Sequence, residues 1–326
     1  MATLVTGGVG FVGASIVKAL AARGHEVVSY DVLAPDALMT HFLGDLADRV
    51  TFVDGDILDT AGLEALRRDH AFDKIVHAAV FTVNRTDRET ARSKEILDIN
   101  LAGTGNLLEL AREIGVQRFV YISSGAAYGL CRDPDQTYNE DDHPQPGNLY
   151  GITKLASEQL TSRYGALHGF SAVSLRVSTP YGPMERITGH RDNMSTPYQW
   201  TGAMLRGEPI PLDTSDYGRD YTYVLDTGSA IATVVDAPEL PHDLYNITNG
   251  VSVTGAEIQR KLAELFPETR IVEDGNAEPA GSSLGPTRGP LSGYRLWHDL
   301  GWVPQYDLAA GLTDYVRWRR ESGFLD

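Results

Sequence analysis

The sequence has a single cysteine among 326 residues, Cys131. That excludes an internal disulfide framework, a thiolate zinc cluster and CxxC redox chemistry. Its nine histidines show neither HxxxH nor HxH spacing, so no metal site is expected. Basic residues are scarce: 28 Lys and Arg stand against 44 Asp and Glu, a formal net charge of −16. Such a chain lacks the basic footprint that a nucleic-acid backbone requires. An anionic small substrate would need local Arg or Lys set against the global field. No apolar run approaches the roughly 18 residues that cross a bilayer. The start, Met1-Ala2-Thr3-Leu4-Val5, has no basic leader and reads as strand, so the expectation is a cytoplasmic protein without a signal peptide or membrane partner. Internal repeats and low-complexity tracts are absent as well.

What is present is an ordinary globular composition, 42% hydrophobic and 22% charged, with enough apolar material for a large core. The length suggests about two domains. Brief β-branched runs occur at Leu4-Val5, Val27–Tyr30, Val50–Val53, Lys74–His77, Arg118–Ile122 and Ala172–Leu175. Helical patterns separate most of them, at Ala14–Arg23, Thr60–Arg68, Ile96–Glu113 and Lys154–His168. Strands buried on both faces and alternating with helices predict an α/β fold with an open, doubly wound parallel sheet. After Val177 the pattern changes. Residues 180–220 are rich in Pro, Gly and polar residues; helices are expected again at Asp226–Val235 and Leu308–Arg320, with a strand at Leu244–Ile247. Thr254 and Glu257 form a capping box for a helix reaching Leu265. The breaks at Gly281, Gly285, Pro286, Gly289 and Pro290 make residues 274–290 an expected mobile loop. The second domain is expected to be smaller and discontinuous.

Between the first strand and the first helix lies Thr6-Gly7-Gly8-Val9-Gly10-Phe11-Val12-Gly13. Its GxGxxG spacing supplies a tight turn, close backbone approach to a pyrophosphate and tight helix–strand packing, with a helix N-terminus facing the phosphates. Asp31 follows the second strand, where a carboxylate accepts hydrogen bonds from an adenosine ribose and repels a 2′-phosphate. No Arg follows it, which favours NAD over NADP. Asp56 and Ile57, after the third strand, are placed to meet an adenine ring. Tyr150 and Lys154 are four residues apart and share one helical face. A cation beside a phenol favours phenolate and makes a usable base near neutral pH. Ser123-Ser124 puts hydroxyls at the C-terminal end of a strand, where open α/β sheets hold their ligands.

Together these residues resemble the extended short-chain dehydrogenase/reductase family, in its NAD-dependent nucleotide-sugar epimerase/dehydratase branch. The resemblance spans the chain: the TGGxGxxG loop, Asp31, Asp56-Ile57, His77-Ala78-Ala79, Asn100–Thr104, Ser123-Ser124 with Tyr128-Gly129, Tyr150-x-x-x-Lys154, Arg176, Tyr181-Gly182-Pro183, Arg219–Val224 and Leu300-Gly301-Trp302-x-Pro304. It implies a Rossmann sheet with a smaller, discontinuous C-terminal substrate domain. The implied division is 1–178 plus 224–249 for NAD and 179–223 plus 250–326 for substrate. It implies Tyr150 as catalytic base and acid, Lys154 as the group that tunes it and binds the nicotinamide ribose, and Ser124 as the catalytic hydroxyl. Gly7, Gly10, Phe11, Val12, Gly13, Asp31, Asp56, Ile57, Ala78, Ala79 and Asn100, with Tyr150 and Lys154, are the implied cofactor residues. Thr179 and Arg219, with Ser124, are the implied substrate residues. Helices near Leu101–Glu113 and Lys154–Tyr164 resemble those that form a homodimer interface in the family.

Two departures bear on the reaction. Gly125 and Ala126 occupy positions where dehydratases of the family carry an acidic pair, so dehydratase chemistry is not expected. Thr179 stands where the family's Asn contacts a substrate diphosphate or sugar hydroxyl. Arg219 is kept, and Arg186 and Arg191 are ordinary surface charge as readily as ligands. The leading expectation is epimerisation of a nucleotide-activated sugar through transient oxidation. The competing readings are an NAD-dependent dehydrogenase of a free sugar, sugar acid or small polyol, and a non-catalytic NAD sensor.

Overall fold

Short apolar runs that must bury both faces become parallel strands when helices cover each side. The computed structural model describes residues 2–83, 85–129, 136–191, 193–216, 218–273 and 289–326. Cys131 and nearly all of the glycine- and proline-rich 274–290 stretch lie outside the described residues. In chain order the first half contains β1 (Ala2–Thr6), α1 (Phe11–Ala22), β2 (Val27–Asp31), α2 (Ala37–Leu43), β3 (Val50–Asp54), α3 (Thr60–Asp69), β4 (Phe72–His77), α4 (Thr86–Ala91), α5 (Ser93–Leu97), α6 (Gly103–Ile114), β5 (Arg118–Ser124), α7 (Leu149–His168) and β6 (Ser171–Val177). The second contains β7 (Thr179–Tyr181), α8 (Thr196–Leu205), β8 (Ile210–Pro211), β9 (Gly218–Tyr223), α9 (Val224–Asp236), β10 (Leu244–Ile247), β11 (Ser252–Thr254), α10 (Gly255–Leu265), β12 (Ile271–Val272), α11 (Tyr294–Leu300) and α12 (Leu308–Ser322).

The central sheet has the order β3-β2-β1-β4-β5-β6-β10 with every pair parallel. This is the doubly wound Rossmann order with one added strand. The strand order reverses between β1 and β4, and ligands of such sheets bind outside the strand ends at that point. One face packs α3 and α6 through Leu63, Leu66, Leu107 and Ala111. The other packs α1 and α9, and that core continues without a break into Tyr181, Trp200, Leu312 and Tyr315 of the second half.

Three local differences from the sequence expectation matter for the site. α1 begins at Phe11 rather than Ala14, so the glycine loop is shorter. α7 begins at Leu149, capped by Asn148, whose side chain accepts from Gly151 N; Tyr150 is therefore already helical. The helix expected over 96–113 is interrupted by a π turn at Asp98–Ala102 that buries Asn100. Residues 180–220, which show no long periodicity, fold into β7, α8, β8 and β9; the strands are too short to impose a period, and α8 is buried over most of its surface, so it has no polar face to mark one.

Candidate active site

The glycine loop is set by backbone contact. Gly7 has φ +70, and a Cβ there would lie 2.6 Å from Ala79 N. A Cβ on Gly13 would lie 1.9 Å from Gly7 O, so no other residue lets α1 approach β1 this closely. Gly10 caps α1 without a side-chain bond, leaving first-turn N–H groups for an anion. Asp31 is held from both sides: Oδ2 accepts from Val9 N at 2.9 Å and Oδ1 from Leu33 N at 3.0 Å. The loop, Asp31, Asp56 and Ile57 wall one end of a cavity at the β1/β4 switch point.

Ser124, Tyr150 and Lys154 wall the other end of that cavity. Ser124 Oγ accepts from Ala126 N at 3.1 Å, which starts a short 3-10 turn at Gly125–Tyr128. Lys154 Nζ donates to Ile122 O at 2.6 Å and lies 5.8 Å from the centre of the Tyr150 ring and 4.9 Å from that of Tyr121. Burial pushes the Lys154 ammonium down to about 7, with the Glu158 carboxylate working against that shift.

Behind these groups lies a buried polar chain. Thr104 Oγ1 donates to Asn100 O at 2.7 Å, so it accepts from His77 Nε2 at 3.0 Å. His77 Nδ1 then accepts from Thr6 Oγ1 at 2.8 Å, which fixes a neutral ring with its proton on Nε2. Burial first, then the Lys154 charge, drives His77 down to about 3. On the other side of Lys154, Glu158 accepts from Ser123 Oγ at 2.5 Å and from Arg176 at 2.9 and 2.7 Å, a buried ion pair. Glu158 had no role in the sequence reading. Its signal was the spacing Tyr150, Lys154, Glu158, three groups at successive helical turns on one face.

Gly7, Gly10, Phe11, Val12, Gly13, Asp31, Asp56, Ile57, Ala78, Ala79, Ser124, Tyr150 and Lys154 all line the one cavity. Asn100 is not among its lining residues. Its Oδ1 accepts from Phe81 N at 2.8 Å, and its Nδ2 donates to Phe81 O and Thr153 Oγ1, both at 3.2 Å. Asn100 therefore braces the wall from behind. Thr179 on β7 and Arg219 on β9 also lie outside the lining, while Ser178 and Pro180 belong to it. Arg186 and Arg191 both reach the cavity, with Thr188 and His190, from the segment after Tyr181-Gly182-Pro183.

The closely packed glycine loop, with the first-turn N–H groups of α1 left without a side-chain cap, and the fixed Asp31 suit a dinucleotide. Residues 3–248 match the model of the NAD dependent epimerase/dehydratase family. The chain is 29% identical to UDP-glucuronate 4-epimerase 1 of Arabidopsis thaliana over 343 residues, covering 98% of this chain and 76% of the relative. It is 30% identical to dTDP-glucose 4,6-dehydratase of Mycolicibacterium smegmatis, covering 99% and 94%. The Thermus thermophilus UDP-glucose 4-epimerase solved with NAD superposes with a TM-score of 0.82 at 28% identity, covering 98% and 99%. The exclusion of dehydratase chemistry drawn from Gly125 and Ala126 is corrected by the dehydratase relative, which matches as well as the epimerases do. The physical reason is that elimination needs an acid within reach of the substrate, and two positions beside Ser124 do not account for every group that can supply one. The chain belongs to the NAD-dependent epimerase/dehydratase family, within the extended short-chain dehydrogenase/reductases.

Proposed function

We propose that the protein is an NAD-dependent epimerase of a nucleotide-activated sugar. The observation that carries this reading is one cavity lined at one end by the glycine cradle and Asp31 and at the other by Ser124, Tyr150 and Lys154. The glycine loop would hold the cofactor diphosphate and Asp31 its adenosine ribose. NAD, when bound, supplies a hydride acceptor that can return the hydride to the same carbon. Tyr150 Oη accepts the proton of the substrate hydroxyl. Lys154 favours the phenolate by its charge, and Ser124 Oγ holds the hydroxyl in line. Once the oxidised sugar presents its other face, Tyr150 returns the proton, and the cycle leaves no net redox change.

The UDP-sugar epimerases among the similar proteins support a nucleotide-linked substrate over a free sugar. Residues 1–178 plus 224–249 are proposed as the cofactor part and 179–223 plus 250–326 as the sugar part. Thr179, beside Ser178 and Pro180 of the cavity wall, and Arg219 are the proposed substrate residues. A homodimer through α6 and α7 is proposed as well, since α7 leaves Ile152 and Leu160 exposed.

The test incubates the purified protein and NAD with UDP-glucose, UDP-glucuronate, dTDP-glucose and free sugars. NMR follows the sugar and absorbance follows the reduced nicotinamide. The expected result is an inverted sugar nucleotide without accumulating NADH. Stoichiometric NADH would make it a dehydrogenase, and a keto-deoxy product with loss of water would make it a dehydratase.

A further inference from the structure

A diphosphate entering this cavity meets Asp31 and Asp56 in a chain of net charge −16, so local cations must offset the field. Among the described lining residues, Lys and Arg number three: Lys154, Arg186 and Arg191. Lys154 is buried at the Ser124 end and donates to Ile122 O. Arg186 is ion-paired with Asp36. Arg191 sits over the glycine loop itself, its guanidinium carbon 5.0 Å from the centre of the Phe11 ring, and Phe11 opens α1.

The way Arg191 is held indicates a built site rather than a stray surface charge. One of its terminal nitrogens donates to Glu185 Oε1 at 3.1 Å. Glu185 is fully buried, and it also accepts from Ser195 N at 2.6 Å and Ser195 Oγ at 2.7 Å. Burial pushes the Glu185 carboxyl up, and Arg191 and the Ser195 donors oppose that shift. Arg191 Nε is buried with no hydrogen-bond partner among the described residues. Met184, just before Glu185, has φ +68, a left-handed conformation that is unfavourable for a residue with a side chain. The loop carrying Arg191 is also tied to the opposite wall: Thr82 N donates to His190 O at 2.9 Å and Arg92 to Gly189 O at 3.2 Å.

We propose that Arg191 is a ligand of the cofactor diphosphate, completing the anion site begun by the glycine loop, and that Glu185 is its positioning residue. The proposal rests on the reading that this cavity binds NAD. A planar guanidinium braced on one edge by a carboxylate keeps its other N–H groups directed for phosphate oxygens.

The experiment is calorimetry on the cofactor-stripped protein with three probes: ADP-ribose, adenosine and UDP. ADP-ribose keeps the diphosphate without the nicotinamide, and adenosine lacks the diphosphate. Arg191→Ala should weaken ADP-ribose by about 10- to 100-fold and leave adenosine unchanged. Arg191→Lys should recover part of the loss, and Glu185→Gln should show a smaller loss of the same kind. Thermal melts of each variant report whether it is folded. Unchanged ADP-ribose affinity in a folded Arg191→Ala variant overturns the proposal. So does a selective loss of UDP, which would assign Arg191 to the substrate. If the wild-type chain binds no ADP-ribose, the cofactor reading itself falls, a result distinct from both.

Discussion

The two ends of the cavity are held by different kinds of contact. Around Lys154, nearly every brace is a buried hydrogen bond between regular elements: His77 to Thr6 and Thr104, Asn100 to Phe81 and Thr153, and Glu158 to Ser123 and Arg176. In the segment after Tyr181-Gly182-Pro183 the braces are of two kinds: Arg186 pairs with the half-exposed Asp36, whereas the buried Glu185 holds Arg191 and Ser195. Buried networks are costly to break because an orphaned polar group has no water to turn to. Exposed pairs are cheap to break because water replaces the partner. The proposed proton-transfer end is thus braced by buried bonds throughout, and the arginine-bearing segment combines an exposed pair at Arg186 with a buried brace at Arg191.

The sharpest way to break this contrast is at the glycine loop, over which Arg191 sits. Gly13→Ala places a methyl against Gly7 O, and cofactor affinity should fall more than about 100-fold by calorimetry. Next comes Lys154→Met, which should lower turnover by roughly 100- to 1,000-fold. Its pH signature has a definite sign. The folded chain releases the Lys154 proton at about 7, and the unfolded chain near 10.5. Between those values the unfolded state binds more protons, so this group makes stability rise with pH across the window. Urea midpoints of the apoprotein should show that slope in the wild type and a flatter one in Lys154→Met.

A smaller effect is expected at His77. Its neutral ring contributes stability that is complete above pH 6.5 and is lost as pH falls toward about 3. His77→Gln should cost about 1–3 kcal/mol at pH 7 and flatten the acid limb of the melting profile. Smallest of all, Arg186→Ala removes a partly exposed pair and should change stability by less than about 1 kcal/mol. A large loss there would mean that the arginine segment is as rigidly built as the proton-transfer end.

The same contrast explains what could be read from the sequence. The glycine loop, Asp31 and the Tyr150–Lys154 pair are local signals: spacing within one turn or helix is enough, and all of them line the cavity. Asn100 was legible as important but not in its role, because a π turn redirects it from the cavity to the Phe81 backbone. Glu158 finds Arg176 and Ser123 only through the pairing of β5 with β6 and the docking of α7, which no spacing records. Arg186 and Arg191 sit in a stretch with no period, and their partners Asp36 and Glu185 are fixed by a backbone path that includes the left-handed Met184. Epimerase and dehydratase relatives match the chain at nearly the same identity, so overall similarity does not separate the two reactions.

The central claim is that the Tyr150 phenolate takes the substrate proton within a bound-cofactor cavity. Tyr150→Phe tests it most directly, with sugar turnover and ADP-ribose binding measured on the same preparation. Turnover should fall by at least about 100-fold while ADP-ribose binds as it does to the wild type. Undiminished turnover in the Phe variant would contradict the claim.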